Sequence, residues 1–144
     1  MFTGASNLSI DAKGRIAVPT RYRDELGTDL VITADPSGCL LLFTQETWGP
    51  FAERVSALPN MNSRHKVLQR VWLGYKLDCE VDNAGRIGLT PEMRAYAKFD
   101  GKVQMIGQDD RFELWSERGW QDEIDLAKRY LREEQPADLA RLSV

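Results

Sequence analysis

Two aspartate–arginine pairs hold the chemistry that this sequence offers. Asp11 and Arg15 flank Ala12-Lys13-Gly14, and Asp82 and Arg86 flank Asn83-Ala84-Gly85. A carboxylate that accepts from a guanidinium fork holds that fork in one orientation. On a two-stranded ribbon, an arginine held in this way can donate to guanine O6 and N7 in the major groove. Lys13 adds a charge that a simple turn does not need. The competing reading is that each pair only staples its turn, worth about 0–1 kcal/mol at an exposed site. The spacing alone leaves both readings open.

The other reactive residue types form no constellation. His65 is the single histidine and lies on a polar helical stretch, where it reads as a surface residue. Cys39 falls within an apolar strand, where a buried inert thiol is expected. Cys79 alternates with Asp78 and Glu80 and has no histidine beside it to activate a nucleophile. The two cysteines fit neither a zinc spacing nor a disulfide framework. Glycine-rich nucleotide loops are absent. Gly85–Gly88 matches the G-x-x-G of KH modules, but those join two helices, whereas a turn and a strand are expected here. Asp109-Asp110 reads as a solvated turn. These absences point away from an enzyme, and no cofactor, metal or small-molecule substrate is expected.

The aspartate–arginine segments belong to a longer repeat. Asp11, Gly14, Arg15 and Ile16 recur 71 places on as Asp82, Gly85, Arg86 and Ile87. Pro19 recurs 72 places on as Pro91, and the 72-residue offset then persists through Leu40, Phe43, Thr44 and Trp48, which face Phe112, Trp115, Ser116 and Trp120. Two copies are too few for a solenoid and suggest halves paired about a pseudo-two-fold axis. Leu8 and Ile10 before the first turn, and Ile16 and Val18 after it, suggest a β-hairpin. Gly14 and Gly85 suit a left-handed turn position. Short helices are expected at 20–26 and 92–97. Strands are expected at 30–33, 39–43, 103–106 and 111–115. Gly49-Pro50 is expected to break a turn after Thr44, with a helix from about 50 to 57. Asn62 or Ser63 should cap a helix running to about Gly74, with Val67, Val71 and Tyr75 on its apolar face and Leu68 and Trp72 beside them. Ser116 should cap a helix over 117–131, with Trp120, Ile124, Ala127 and Leu131 along one side.

Length and charge set the frame. A chain of 144 residues with 42% hydrophobic and 28% charged residues has the composition of a single globular unit. No apolar run is long enough to span a membrane, and Met1–Arg15 does not read as a signal peptide. A cytoplasmic setting is expected. The formal net charge is -3, but it is unevenly spread. Lys13, Arg15, Arg21 and Arg23 oppose only Asp11 in residues 1–23, and residues 64–77 carry Arg64, Lys66, Arg70 and Lys76 with no acid. Residues 109–144 are acidic on balance.

Several segments resemble the MraZ family of bacterial transcriptional regulators. They are Met1–Gly4, LSIDAKGRIAVPTRYRDEL at 8–26, LLLF at 40–43, MNSRHKVLQRVWLGYK at 61–76, VDNAGRIGLTPEMRAYA at 81–97 and MIGQDDRFELW at 105–115. The resemblance implies a mainly β, α+β fold: two tandem AbrB-like swapped-hairpin β-barrel halves forming an intramolecular pseudo-dimer. The first unit would span 1–60, a connecting helix 61–75 and the second unit 76–134, with a frayed tail at 135–144. It also implies ring-like homo-oligomers and a nucleoid-associated repressor of the division and cell-wall gene cluster. Its partner would be double-stranded DNA of its own upstream promoter region, met through Asp11, Lys13, Arg15, Asp82 and Arg86. Neighbours around a ring keep one direction, so direct-repeat boxes are expected. Thr3 stands where many relatives look basic, and Asn83-Ala84 replaces a lysine-bearing pair. A different class of function, a ring-forming protein scaffold without specific DNA binding, would leave the pairs as turn staples.

Overall fold

Only one strand pair in each repeat is made of sequence neighbours. The computed structural model describes residues 1–133 and 137–142. The first repeat contains β1 (Ala5–Ser9), β2 (Arg15–Ala17), α1 (Thr20–Leu26), β3 (Asp29–Ala34), β4 (Leu40–Thr44) and α2 (Gln45–Ser56). Helix α3 (Ser63–Gly74) leads to β5 (Leu77–Glu80), β6 (Arg86–Gly88), α4 (Pro91–Tyr96), β7 (Lys102–Gln108), β8 (Arg111–Trp115) and α5 (Glu117–Glu133). A 3-10 helix at Ala137–Leu142 follows, where a frayed tail was expected. The rest of that tail, residues 135, 136, 143 and 144, lies outside the described residues.

Six strands form an antiparallel sheet in the order β1-β7-β8-β4-β3-β5, and β2 pairs with β6 in a separate two-stranded sheet. Strand β1 therefore belongs to the second repeat's β7, and β5 to the first repeat's β3. The expected β1–β2 hairpin does not form. Its turn closes, because Asp11 N donates to Arg15 O at 2.9 Å, but Ile10 N already donates to Gly101 O at 2.8 Å and the two strands part. Strand β1 instead forms a five-residue ladder with β7, and β2 pairs along its whole length with β6. The large sheet stays open, with β1 and β5 as its edges, so no closed barrel forms in either half. Both edges are already lent to the opposite repeat, and the ribbon lies across the sheet without extending it.

The register locates the pseudo-two-fold axis. Ile16 faces Ile87 on the ribbon, and Leu41 faces Glu113 in the sheet. Each of these residues faces its own repeat counterpart, which happens only on a two-fold axis.

Both faces of the central strands are covered, which explains the continuous apolar runs at 30–32 and 40–43. Leu30, Ile32, Leu40 and Leu42 point toward a core shared with Ile16, Val18, Ile87, Leu89 and Met93. Val31, Leu41 and Phe43 point to the other side, against Phe51 and Val55 of α2 and the indoles of Trp48, Trp72 and Trp120. The β3–β4 turn anchors two helices through Asp35. Its carboxylate accepts from Trp72 Nε1 on α3, and its carbonyl accepts from Tyr96 Oη on α4, both at 2.7 Å.

Three helix expectations are corrected. Helix α2 runs unbroken through Gly49-Pro50. Thr44 and Thr47 form a reciprocal cap, each hydroxyl accepting from the other's amide at 3.1 Å, and burial of Phe51 and Val55 holds the turns beyond the proline. On α3 the inward face is Leu68, Val71 and Trp72, continued by Tyr75 at the cap, while Val67 is 56% exposed. On α5, Trp120 and Ile124 are half-buried but Ala127 and Leu131 are exposed, because the helix runs past the edge of its core.

The axis pair makes a sharp stability test. Ile16→Ala empties a site that is 1% exposed and should lower unfolding free energy by about 2–5 kcal/mol in urea titration. Val67→Ala should stay within about 0.5 kcal/mol of the parent.

Candidate nucleic-acid interface

The two aspartate–arginine turns are built alike. Gly14 N donates to Asp11 O at 3.0 Å, and Gly85 N to Asp82 O at 2.9 Å. Both glycines take positive φ, +79° and +77°, the left-handed conformation that closes the turn. Asp11 Oδ1 accepts from the amides of Lys13 and Arg15, each at 2.9 Å. Asp82 Oδ1 accepts from Ala84 N at 2.9 Å and Arg86 N at 2.8 Å. The second oxygen of each aspartate holds its arginine: Arg15 Nε donates to Asp11 Oδ2 at 2.8 Å, and Arg86 Nε to Asp82 Oδ2 at 3.2 Å. In both turns the arginine's amide does most to hold the aspartate below the usual carboxylate range, with the guanidinium adding to it and burial opposing it.

Only Nε is used in each pair. Among the described residues, neither Nη of Arg15 nor of Arg86 has a hydrogen-bond partner. Each fork is aimed by its aspartate and keeps its terminal donors free.

The ribbon brings the two forks together. Ile16 and Ile87 point inward, so Arg15 and Ala17 of β2 and Arg86 and Gly88 of β6 share the outer face. Arg15 faces Gly88 and Arg86 faces Ala17. Each arginine thus stands opposite a residue too small to obstruct it. Their Cα atoms lie diagonally on the order of 8 Å apart by ladder geometry. Lys13 is exposed at the tip of the first turn, and Ala84 holds the matching place in the second.

Two further arginines were not among the sequence candidates. Arg23 Nε donates to Val18 O at 2.9 Å, and the terminal nitrogen of Arg94 donates to Leu89 O. They are equivalents at the 71-residue offset. Pairing Pro19 with Pro91 conceals this, because it sets Arg23 against Ala95. The helix caps show the true alignment: Pro19 precedes α1 as Thr90 precedes α4, and the extra residue enters later.

The remaining candidates stay apart from this face. Cys39 is buried, and burial pushes its thiol well up; burial also raises the Cys79 thiol, to about 11. Neither has the electropositive surroundings of a reactive cysteine. His65 is half-buried rather than on the surface, and its Nδ1 is enclosed with no hydrogen-bond partner among the described residues. A groove of about 620 Å³ near the N-terminus is lined by Asp24, Glu25, Asp29, Glu46, Asp109 and Asp110 and by no lysine or arginine side chain, which is the wrong charge for phosphate. Among the described residues no helix is long and apolar enough to cross a membrane.

An interlocked tandem repeat that presents two aimed arginine forks on one ribbon is a pseudo-dimeric architecture within a single chain. Residues 1–71 and 74–141 each match the family model described as "MraZ protein, putative antitoxin-like". Proteins named transcriptional regulator MraZ align along most or all of the chain. The one from Nitrosomonas europaea is 39% identical and covers 100% of both chains. The one from Shewanella loihica is 39% identical, covering 99% of this chain and 97% of its own. That from Thioalkalivibrio sulfidiphilus is 44% identical over 83% of each. The chain belongs to the MraZ family of transcriptional regulators, whose relatives are named as regulators and not as enzymes.

The lowered aspartate pKa values fix the sign of a pH effect. A carboxyl depressed on folding lends stability above its unfolded pKa, and that stability is lost as pH falls through the folded value. The turns should therefore hold throughout the neutral range and loosen only in acid below the ordinary aspartate pKa. Carboxyl ¹³C titration should place the Asp11 and Asp82 midpoints below that value; a midpoint at or above it would contradict the pairing.

Proposed function

We propose that this protein is a sequence-specific DNA-binding repressor that reads the major groove with Arg15 and Arg86. The observation that supports this most directly is the pair of forks, each held by Nε alone with its terminal donors free on the outer face of one ribbon. Arginine presenting two parallel donors is the commonest specific partner of guanine O6 and N7. A two-stranded ribbon has the width to enter that groove. Lys13 supplies phosphate attraction beside Arg15, and Asp11 and Asp82 act by aiming the forks.

A chain with formal net charge -3 must concentrate its positive charge to meet DNA, and one ribbon offers few contacts. Several copies in a closed ring would line up their Arg15 turns on one side. The DNA then carries boxes in the same orientation about one helical turn, roughly 10 bp, apart. Within each box Arg15 and Arg86 approach together, so a box has an approximate inner two-fold. The lysine present only in the first turn keeps the box directional. The target on this reading is the promoter of the protein's own division and cell-wall gene cluster, and the setting is the cytoplasmic nucleoid.

Binding to an upstream promoter fragment, followed by mobility shift at two salt concentrations, tests the proposal. Wild-type affinity should fall steeply with salt, as counterion release demands. Arg15→Ala should remove specific binding with fold and assembly unchanged, since each lost base contact costs about 1–3 kcal/mol and the assembly multiplies the loss. Arg86→Ala should weaken binding less. An Arg15→Ala protein that bound like the parent would sink the major-groove role and favour a protein-binding scaffold.

A further inference from the structure

Each turn is covered by an arginine from the other repeat. The contact is tight enough that a Cβ on Gly14 would overlap Nη1 and Cζ of Arg94, and a Cβ on Gly85 would overlap the guanidinium of Arg23. Both glycines are buried although they sit in surface turns. The backbone closes the same circuit. Val18 N donates to Gly85 O at 2.8 Å, and Val18 O accepts from Arg23. Leu89 N donates to Gly14 O at 2.9 Å, and Leu89 O accepts from Arg94. Arg94 thus ties β6's exit to the first turn, and Arg23 ties β2's exit to the second.

We infer that Arg94 and Arg23 are crossed positioning residues: Arg94 of the second repeat braces the turn that carries Arg15, and Arg23 of the first braces the turn that carries Arg86. The glycine is required twice at each site. Positive φ closes the turn, and the missing side chain leaves a flat seat for the guanidinium. Arginine is required because its planar fork can lie on that seat while donating to the carbonyl beyond it. A lysine ammonium can donate but has no plane to lay down. The brace acts on the residue next to the glycine, and that residue is the DNA-reading arginine. In its DNA arm this inference rests on the proposed function; in its structural arm it does not.

The test has those two arms. Hydrogen exchange read by mass spectrometry on the intact protein needs no DNA and tolerates any assembly size. Arg94→Ala should speed exchange in residues 11–16 by about fivefold or more while leaving 82–87 near the parent rate, and Arg23→Ala should do the reverse. In the DNA arm, Arg94→Ala should weaken promoter binding by about fivefold or more, and Arg94→Lys, which keeps the charge, should be equally impaired. Arg86→Ala keeps measurable binding, and added to it the effect of Arg94→Ala should multiply. The brace is overturned if Arg94→Ala loosens only its own repeat or both turns alike. It is also overturned if Arg94→Lys restores binding, the pattern of a direct phosphate contact. If the wild-type protein ignored DNA, the exchange arm would still decide the brace, and only the proposed function would fall.

Discussion

Everything on the arginine-bearing face depends on the pairing of β2 with β6. Each strand is three residues long and could not persist alone. Together they place Ile16 and Ile87, at 1% and 0% exposure, over the shared core. That burial fixes which way the ribbon faces, because side chains alternate along a strand. With the isoleucines inward, Arg15 and Arg86 can only be outward. A one-residue slip would exchange the arginines for the isoleucines and bury two charges. The register is thus set by the cost of the alternative as much as by the native contacts.

The aspartates add a second level of control. The ribbon decides the direction of each arginine, and Asp11 or Asp82 decides its orientation. The carboxylate spends one oxygen on backbone amides and the other on Nε. Such a side chain is itself immobilised, so the guanidinium it holds has little freedom left to lose on meeting a ligand. The binding of flexible surface arginines carries that entropic cost in full.

Much of this was legible in the residues. The doubled Asp-x-x-x-Arg marked the turns, and the apolar stretch at 39–43 marked a strand. Local patterns could not show who pairs with whom. Leu8, Ile10, Ile16 and Val18 alternate as a hairpin would, and only the distant β7 and β6 separate them into two sheets. The same limit hid Arg23 and Arg94. Their role appears only across the repeats, and two prolines in unequal positions spoiled the alignment that would have matched them. Pro50 misled for a different reason. Propensity describes the isolated helix, whereas the Thr44–Thr47 cap and the buried Phe51 and Val55 describe the folded one.

The exchange of strands between repeats also sets the order in which the nascent chain can fold. Ser9 must wait for Lys102 before its ladder can form. At about 5–20 residues per second, that wait on the ribosome is roughly 5–20 s. Unpaired strand edges are templates for aggregation during such an interval. The strands that wait are poor templates: Ala-Ser-Asn-Leu-Ser and Arg-Ile-Ala offer one large apolar residue each. The apolar strands β3 and β4 are sequence neighbours and can pair with each other at once, and α2 follows directly to cover one of their faces. The chain thus delivers its stickiest segments as a self-contained hairpin. Of the long-range closures, those of β1 and β2 fall to segments that emerging polypeptides tolerate in the open, while β4 keeps one edge for β8.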